Sequence, residues 1–291
     1  MGTESWILTL SIVLFAAFVA AGFLADSFPL QPWIRTLRRW IRFAFFSLAL
    51  ALAAKKYFFT DESFVDLAIA GALTYILVET FIYWLQICAA SVSGLPPFGK
   101  YTPAESTWSC EPSMIKLKRK IEALGFKKSG AFTVHFGGEV SAKSTFFDSA
   151  DAKERLDVTF VPFSNTYIVS SSIYSQDTES VRWITDGNPT PMGLSSPKGC
   201  KIFRKRLACN PLKLIKIHES ILKKSGKTFV KIRETPAEYV EEMTRGIESQ
   251  SALDGLLNTG IDAEESGIFT QEGKTRIWID MIKTNYFPFL K

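Results

Sequence analysis

The chain has 291 residues, is 47% hydrophobic and carries a formal net charge of +5. That hydrophobic share excludes a disordered polymer, and so mild a charge makes no electrostatic case for nucleic acid. Four cysteines, Cys88, Cys110, Cys200 and Cys209, are too sparse for a secreted disulfide scaffold.

The apolar excess is concentrated before Val92. The first apolar run is Trp6 to Leu24. Its leader, MGTES, holds an acid and no Lys or Arg, and the run continues through Ala20-Ala21-Gly22, so it reads as a retained transmembrane helix rather than a cleaved signal. Pro29 and Pro32 end it. Arg35, Arg38, Arg39 and Arg42 then mix with Trp33, Trp40 and Ile41, the composition of a membrane–water interface, and the positive-inside tendency sets this loop on the cytoplasmic side. The apolar run Phe43 to Ala54 is short for a crossing. Extended back to Trp40 and on past Lys55 and Lys56 to Phe59 it is long enough, with an interfacial helix as the alternative. The short acidic loop TDESFVD fits the outer side.

Phe64 to Val92 is the third run, longer than the ~20 apolar residues a crossing needs. Gly71, Tyr75, Glu79, Tyr83 and Gln86 recur at steps of four, four, four and three, which puts them on one helix face. Leu73, Ile76, Leu77, Phe81 and Ile87 occupy the others. An ionisable residue at membrane depth is costly, so Glu79 is expected to face protein or water. It either glues helices together through Tyr75 or Tyr83, the reading preferred here, or lines a seam that carries a proton. The topology expected is N-terminus out, arginine loop in, acidic loop out and the remainder of the chain in the cytoplasm, beneath a plasma (inner) membrane crossed three times.

Residues 93–111 are rich in Pro, Gly, Ser and Thr and read as a linker, leaving 112–291 as a soluble domain. The spacing of Met114, Leu117, Ile121 and Leu124 predicts a helix closed by Gly125. AFTVHFG, STFFDS, RLDVTFVPF, TYIVSSSIYS and ESVRWIT are short β-prone runs, separated by turn signals at Gly137-Gly138, Ser164-Asn165 and Asp186-Gly187. They predict an antiparallel meander of four to six strands. Helices are expected over Pro211–Lys224, from a Thr235/Glu238 capping box toward Leu257, and over Glu272–Tyr286. The fold class is therefore a three-helix transmembrane part joined to an α+β soluble domain with an antiparallel meander flanked by helices.

The succession of a membrane hairpin, a Tyr/Trp-bearing helix, LPPFGKY, a helix ending LGF, strands, TDGNPTPMGLSS and PLKLIKIHESIL resembles a group of uncharacterised bacterial membrane proteins with a β-rich soluble domain. The resemblance implies architecture and brings no activity, cofactor or catalytic residue.

The sequence contains no phosphate loop, dinucleotide fingerprint, nucleophile elbow, zincin motif or kinase set. Cys200, Cys209 and His218 are spaced like no common zinc site, and His135 and His218 fall in a strand and an amphipathic helix, so no catalytic, metal or cofactor residue is assigned. The basic run from Lys198 to Lys227 is the most suggestive feature of the soluble part. Lys201, Arg204, Lys205 and Arg206 are expected to form one exposed patch for anionic lipid or a partner. The alternatives are pairing with the acidic helix bearing Glu234, Glu238, Glu241, Glu242 and Glu248, or a plain solvated face. The function expected is a membrane-anchored binding or scaffold module, its partners the bilayer and a protein or a second copy of itself, with nucleic acid disfavoured. The alternative is a membrane enzyme or small transporter subunit using Glu79.

Overall fold

The computed structural model describes residues 3–28, 30–92, 100–105, 107–135, 141–163, 166–188, 193–258 and 268–289. The turns expected at Gly137-Gly138 and Ser164-Asn165 lie outside them.

Three long helices open the chain: α1 (Thr3–Ser27), α2 (Pro32–Tyr57) and α3 (Phe64–Val92). Short turns force them antiparallel in sequence, α1 packing on α2 and α2 on α3. Their outer surfaces are apolar, with Trp6 77%, Phe23 72% and Leu77 69% exposed, the inverse of a water-soluble bundle. Two of the three, over Trp6–Ser27 and Phe64–Ser91, are long and apolar enough to cross a membrane. The expected third crossing is not among them. Helix α2 has the length, but Arg35, Arg38, Arg39 and Arg42 fill its first three turns and interrupt the apolar stretch.

The remainder forms an eight-stranded sheet with helices on both faces. Strands β1 (Lys100–Pro103), β2 (Lys127–His135), β3 (Ser141–Asp148), β4 (Glu154–Phe163), β5 (Thr166–Asp177) and β6 (Arg182–Asp186) run antiparallel in order. The meander ends differently from expectation. Strand β7 (Cys200–Arg204) lies parallel to β6, Arg182 opposite Cys200 and Asp186 opposite Arg204, and β8 (Phe229–Val230) pairs with β5, so the sheet is mixed. The stretch expected as linker also differs. It contributes β1, and Thr107 and Trp108 tuck into the domain, the indole donating to the Met114 carbonyl at 3.0 Å.

Alternation along the strands sorts two cores. Phe147, Leu156, Val158 and Ile173 meet α4 (Pro112–Ala123) and α5 (Pro211–Ser225), while Phe146, Tyr174 and Ile184 meet α6 (Pro236–Leu253). Each such fully buried side chain stabilises by about 1.5–3 kcal/mol. Helix α6 starts at Thr235, whose hydroxyl accepts from the Glu238 amide while the Glu238 carboxylate accepts from the Thr235 amide at 2.7 Å.

The last helix, α7 (Gln271–Tyr286), does not stay with the sheet. It packs against α3 and α2, and Gly193, held at φ +61°, lies so near that an added Cβ would sit 2.4 Å from Ile277 Cγ1. At the same end of the bundle, Leu30 in the α1–α2 turn packs on the α4/α5 core. That turn and the sheet domain therefore share one end of the helices, and the α2–α3 turn lies at the other.

Candidate functional site

The helical stripe converges on one polar centre. Helices α2 and α3 approach so closely that a Cβ on Gly71 would lie 2.7 Å from the Ser47 carbonyl oxygen, which is why this stripe begins with glycine. Two turns further along α3, Glu79 is only 8% exposed. The Arg42 guanidinium on α2 pairs with its Oε1, and Tyr83 donates to the same oxygen at 2.6 Å. Arg42 Nε also donates to the Tyr75 hydroxyl at 2.8 Å. Rings close around these contacts, Tyr75 lying stacked on Phe46 at 5.9 Å and edge-on to Phe43 at 5.5 Å.

The other carboxylate oxygen is taken from a distance. Tyr286, on α7, donates its hydroxyl to Glu79 Oε2. Trp278 donates to the Thr80 carbonyl at 2.7 Å, and Trp40 donates to the Tyr286 carbonyl at 3.2 Å. Both oxygens of Glu79 thus have partners, three different helices supplying them. A cavity of about 300 Å³ lies beside the centre, with Tyr75, Glu79, Tyr83 and Gln86 from the stripe and Arg42 on its wall, and Phe46 and Ile82 as apolar flanks.

This arrangement suits an ionised carboxylate held by an arginine and two phenols. Removing one member of a fully buried pair typically costs about 3–5 kcal/mol; Arg42 is a third exposed, which puts the cost here at the lower end. Tyr75, Glu79, Tyr83 and Gln86 were signalled by their spacing. Arg42 was visible only as the deepest of four interfacial arginines, and Tyr286 carried no signal beyond an aromatic tail.

The four cations expected as one exposed patch are divided by the structure. Lys201 is exposed and lies over the Trp183 ring at 4.5 Å, and Lys205 is half-buried. Arg204 reaches Asp186 at 3.5 Å and Asp280 at 3.3 Å, while Arg206 is 8% exposed and pairs with Asp280. The acid they engage is on α7. Glu242 on α6 and Glu234, just before its Thr235 cap, instead turn to Arg182, each at 2.6 Å.

Neither histidine forms a reactive centre. His218 is fully buried, with Thr185 Oγ1 2.8 Å from Nδ1 and Ser175 Oγ 3.0 Å from Nε2. Burial pushes its pKa down to about 4, so it is a neutral ring joining α5 to β5 and β6. His135 bonds Thr102 at 3.2 Å on the exposed edge of the sheet. Cys200 meets Met243 at 3.9 Å under α6, on the face opposite His218, and among the described residues no group of three His, Cys, Asp or Glu is placed to hold a metal.

A second concavity, of about 420 Å³, opens between the edge strand β1 and α6. Tyr101, Phe132 and Val240 floor it, and Glu241, Arg245 and Glu248 stand on its rim, Arg245 tied to Glu241 at 2.6 Å. Among the described residues β1 pairs on one side only.

No family model, curated protein or solved structure matches this chain.

Proposed function

We propose that the chain is a membrane-anchored binding module, its sheet domain held against its own helices so that the β1–α6 groove is presented to a partner near the bilayer surface. The observation that carries this reading is Tyr286 on Glu79: the last helix of the sheet domain completes the polar centre of the helical part. Helix α2 is a third crossing in this reading, its arginines at the inner boundary and its apolar half, from Phe43, in the hydrocarbon. The positive-inside tendency then places the arginine turn, and with it the sheet domain, in the cytoplasm.

The groove suits an extended segment that adds to the edge of β1 unpaired among the described residues and sets cationic side chains against Glu241 and Glu248. A photo-reactive residue at Thr244 in native membranes is expected to give a discrete adduct, lost on Glu241→Lys/Glu248→Lys. The same residue at Lys223, exposed on α5, is expected to give none. Equal labelling at both positions rules out the groove.

The cavity beside Glu79 favours a second reading, a small transporter or enzyme subunit. It stands behind the first because a carrier carboxylate must change partners, and both oxygens of Glu79 are engaged. Flux that vanishes in Glu79→Gln proteoliposomes and persists in Tyr286→Phe would reverse the order.

A further inference from the structure

The positive charge of α2 exceeds what surrounds it. Arg35, Arg38, Arg39 and Arg42 stand at i, i+3, i+4 and i+7, one stripe of the helix. Arg42 is taken by Glu79. The other three are half-buried, and among the described residues none has an ion pair or a hydrogen bond. The carboxylates whose field reaches Arg35 and Arg39 are Asp26 and Glu79, neither within bonding distance of them. Four cations therefore share two anions, one of them already paired.

Arg38 shows how firmly this stripe is placed. Its guanidinium lies over the Phe18 ring at 4.8 Å and against Gly22, where a Cβ would come within 3.0 Å of Cζ. Its Nε is buried without an acceptor. Half-buried cations without an anion are unfavourable, and among the described residues no acidic side chain is within ion-pair distance of Arg35, Arg38 or Arg39. Beside the stripe, Trp33, Leu37 and Trp40 are 53%, 46% and 39% exposed, an apolar and aromatic margin at the same level.

We propose that this stripe binds the phosphate of an anionic phospholipid headgroup, with Arg35 and Arg39 as its ligands and Arg38 fixing the wall toward α1. An arginine fork matches phosphate geometry, and the exposed margin accepts the acyl chains. The proposal rests on the bilayer placement proposed above and moves the lipid contact to α2 from the cations at 201–206, of which Arg204 and Arg206 are taken by Asp280.

The test uses the full chain, purified and reconstituted in nanodiscs. Resistance of the membrane fraction to carbonate extraction checks the placement by itself, separately from lipid preference. Native mass spectrometry of the wild type is expected to retain phosphatidylglycerol in preference to phosphatidylcholine, and phosphatidylglycerol is expected to raise the melting temperature. Arg35→Gln/Arg39→Gln should weaken the apparent affinity about 30-fold, from ~1 kcal/mol per basic residue at a membrane surface. Arg39→Lys, which keeps the charge and loses the fork, should fall between the wild type and the double variant, and Lys198→Gln/Lys201→Gln should retain all of the affinity. Equal retention of both lipids by the wild type overturns the proposal whatever the variants do. A shift reproduced by inorganic phosphate in neutral nanodiscs overturns the lipid source.

Discussion

The helical half and the sheet half of this molecule are turned inside out with respect to each other. In the sheet domain the interior is Phe146, Phe147, Leu156, Ile173 and Leu214, and buried charges such as Arg155 and Arg206 are paired, with Asp148 and Asp280. Among the helices the large apolar side chains face outward, and the interior contact is Arg42, Glu79, Tyr75 and Tyr83. Water removes apolar surface in the first case; in the bilayer placement proposed above it is absent in the second, where lipid tails are no less apolar than leucine. Directional polar contacts and close backbone approach then specify how helices meet, as Glu79 and Gly71 do here. Helix α7 belongs to both regimes: Asp280 holds it to Arg204 and Arg206, and Tyr286 holds it to Glu79.

The sharpest way to break this contrast is Glu79→Leu. It replaces a polar contact by an apolar one where only the polar one is specific, and leaves Arg42 unmatched. We expect insertion to persist and thermal unfolding in detergent to show a loss of about 3 kcal/mol, the lower end of the range for a buried pair because Arg42 is partly exposed. A stability at or above wild type would mean that shape alone holds the helices.

The sheet domain answers to pH through a different interior. His218 titrates at about 4 when folded against 6.5 ordinarily, so between those values the unfolded chain takes a proton that the folded one refuses. Its contribution is complete above pH 6.5 and falls away toward pH 4, about 3 kcal/mol in all. Asp157 acts in the opposite sense. Burial raises its carboxyl to about 6, so it destabilises as pH rises from its ordinary 3.8 through that value, and it recovers on acidification. The two nearly cancel, so unfolding followed against pH should gain stability toward acid in His218→Gln, where Asp157 alone remains, and lose it toward pH 4 in Asp157→Asn, where His218 alone remains.

Arg206→Gln tests the shared helix. With Asp280 deprived of its buried partner, α7 should loosen at a cost of about 2 kcal/mol, read as faster tryptic cleavage at Lys283 while the sheet keeps its melting point. The smallest effect expected is Thr235→Ala, which removes the cap of α6 and costs about 1 kcal/mol in the sheet domain alone. A change in the helical half from this last variant would show that the two regimes are more tightly joined than α7 implies.

Local rules made much of this readable from the residues. The stripe through Tyr75, Glu79, Tyr83 and Gln86 follows from helical spacing, and the Thr235 cap from two residues three apart. What stayed hidden depends on contacts distant in sequence. The run holding Arg204 and Arg206 looks solvated until a single acid on α7 reaches it. The parallel set of β7 depends on where its crossover lands, and β1, four residues ending in proline, is a strand only because β2 lies beside it. Tyr286 had no reason to be linked with Glu79 before the chain was folded.

That last contact spans 207 residues. A ribosome adding 5–20 residues per second needs roughly 10–40 s to cover such a distance. For that interval Glu79 is already in the bundle with Arg42 and Tyr83, and its second oxygen waits. The helical part is thus provisional while the sheet domain is being made. Its closure reports that synthesis has reached α7 and that the domain has folded well enough to deliver it. A chain stalled or misfolded in between lacks the Tyr286 contact, so the second oxygen of Glu79 stays without that partner.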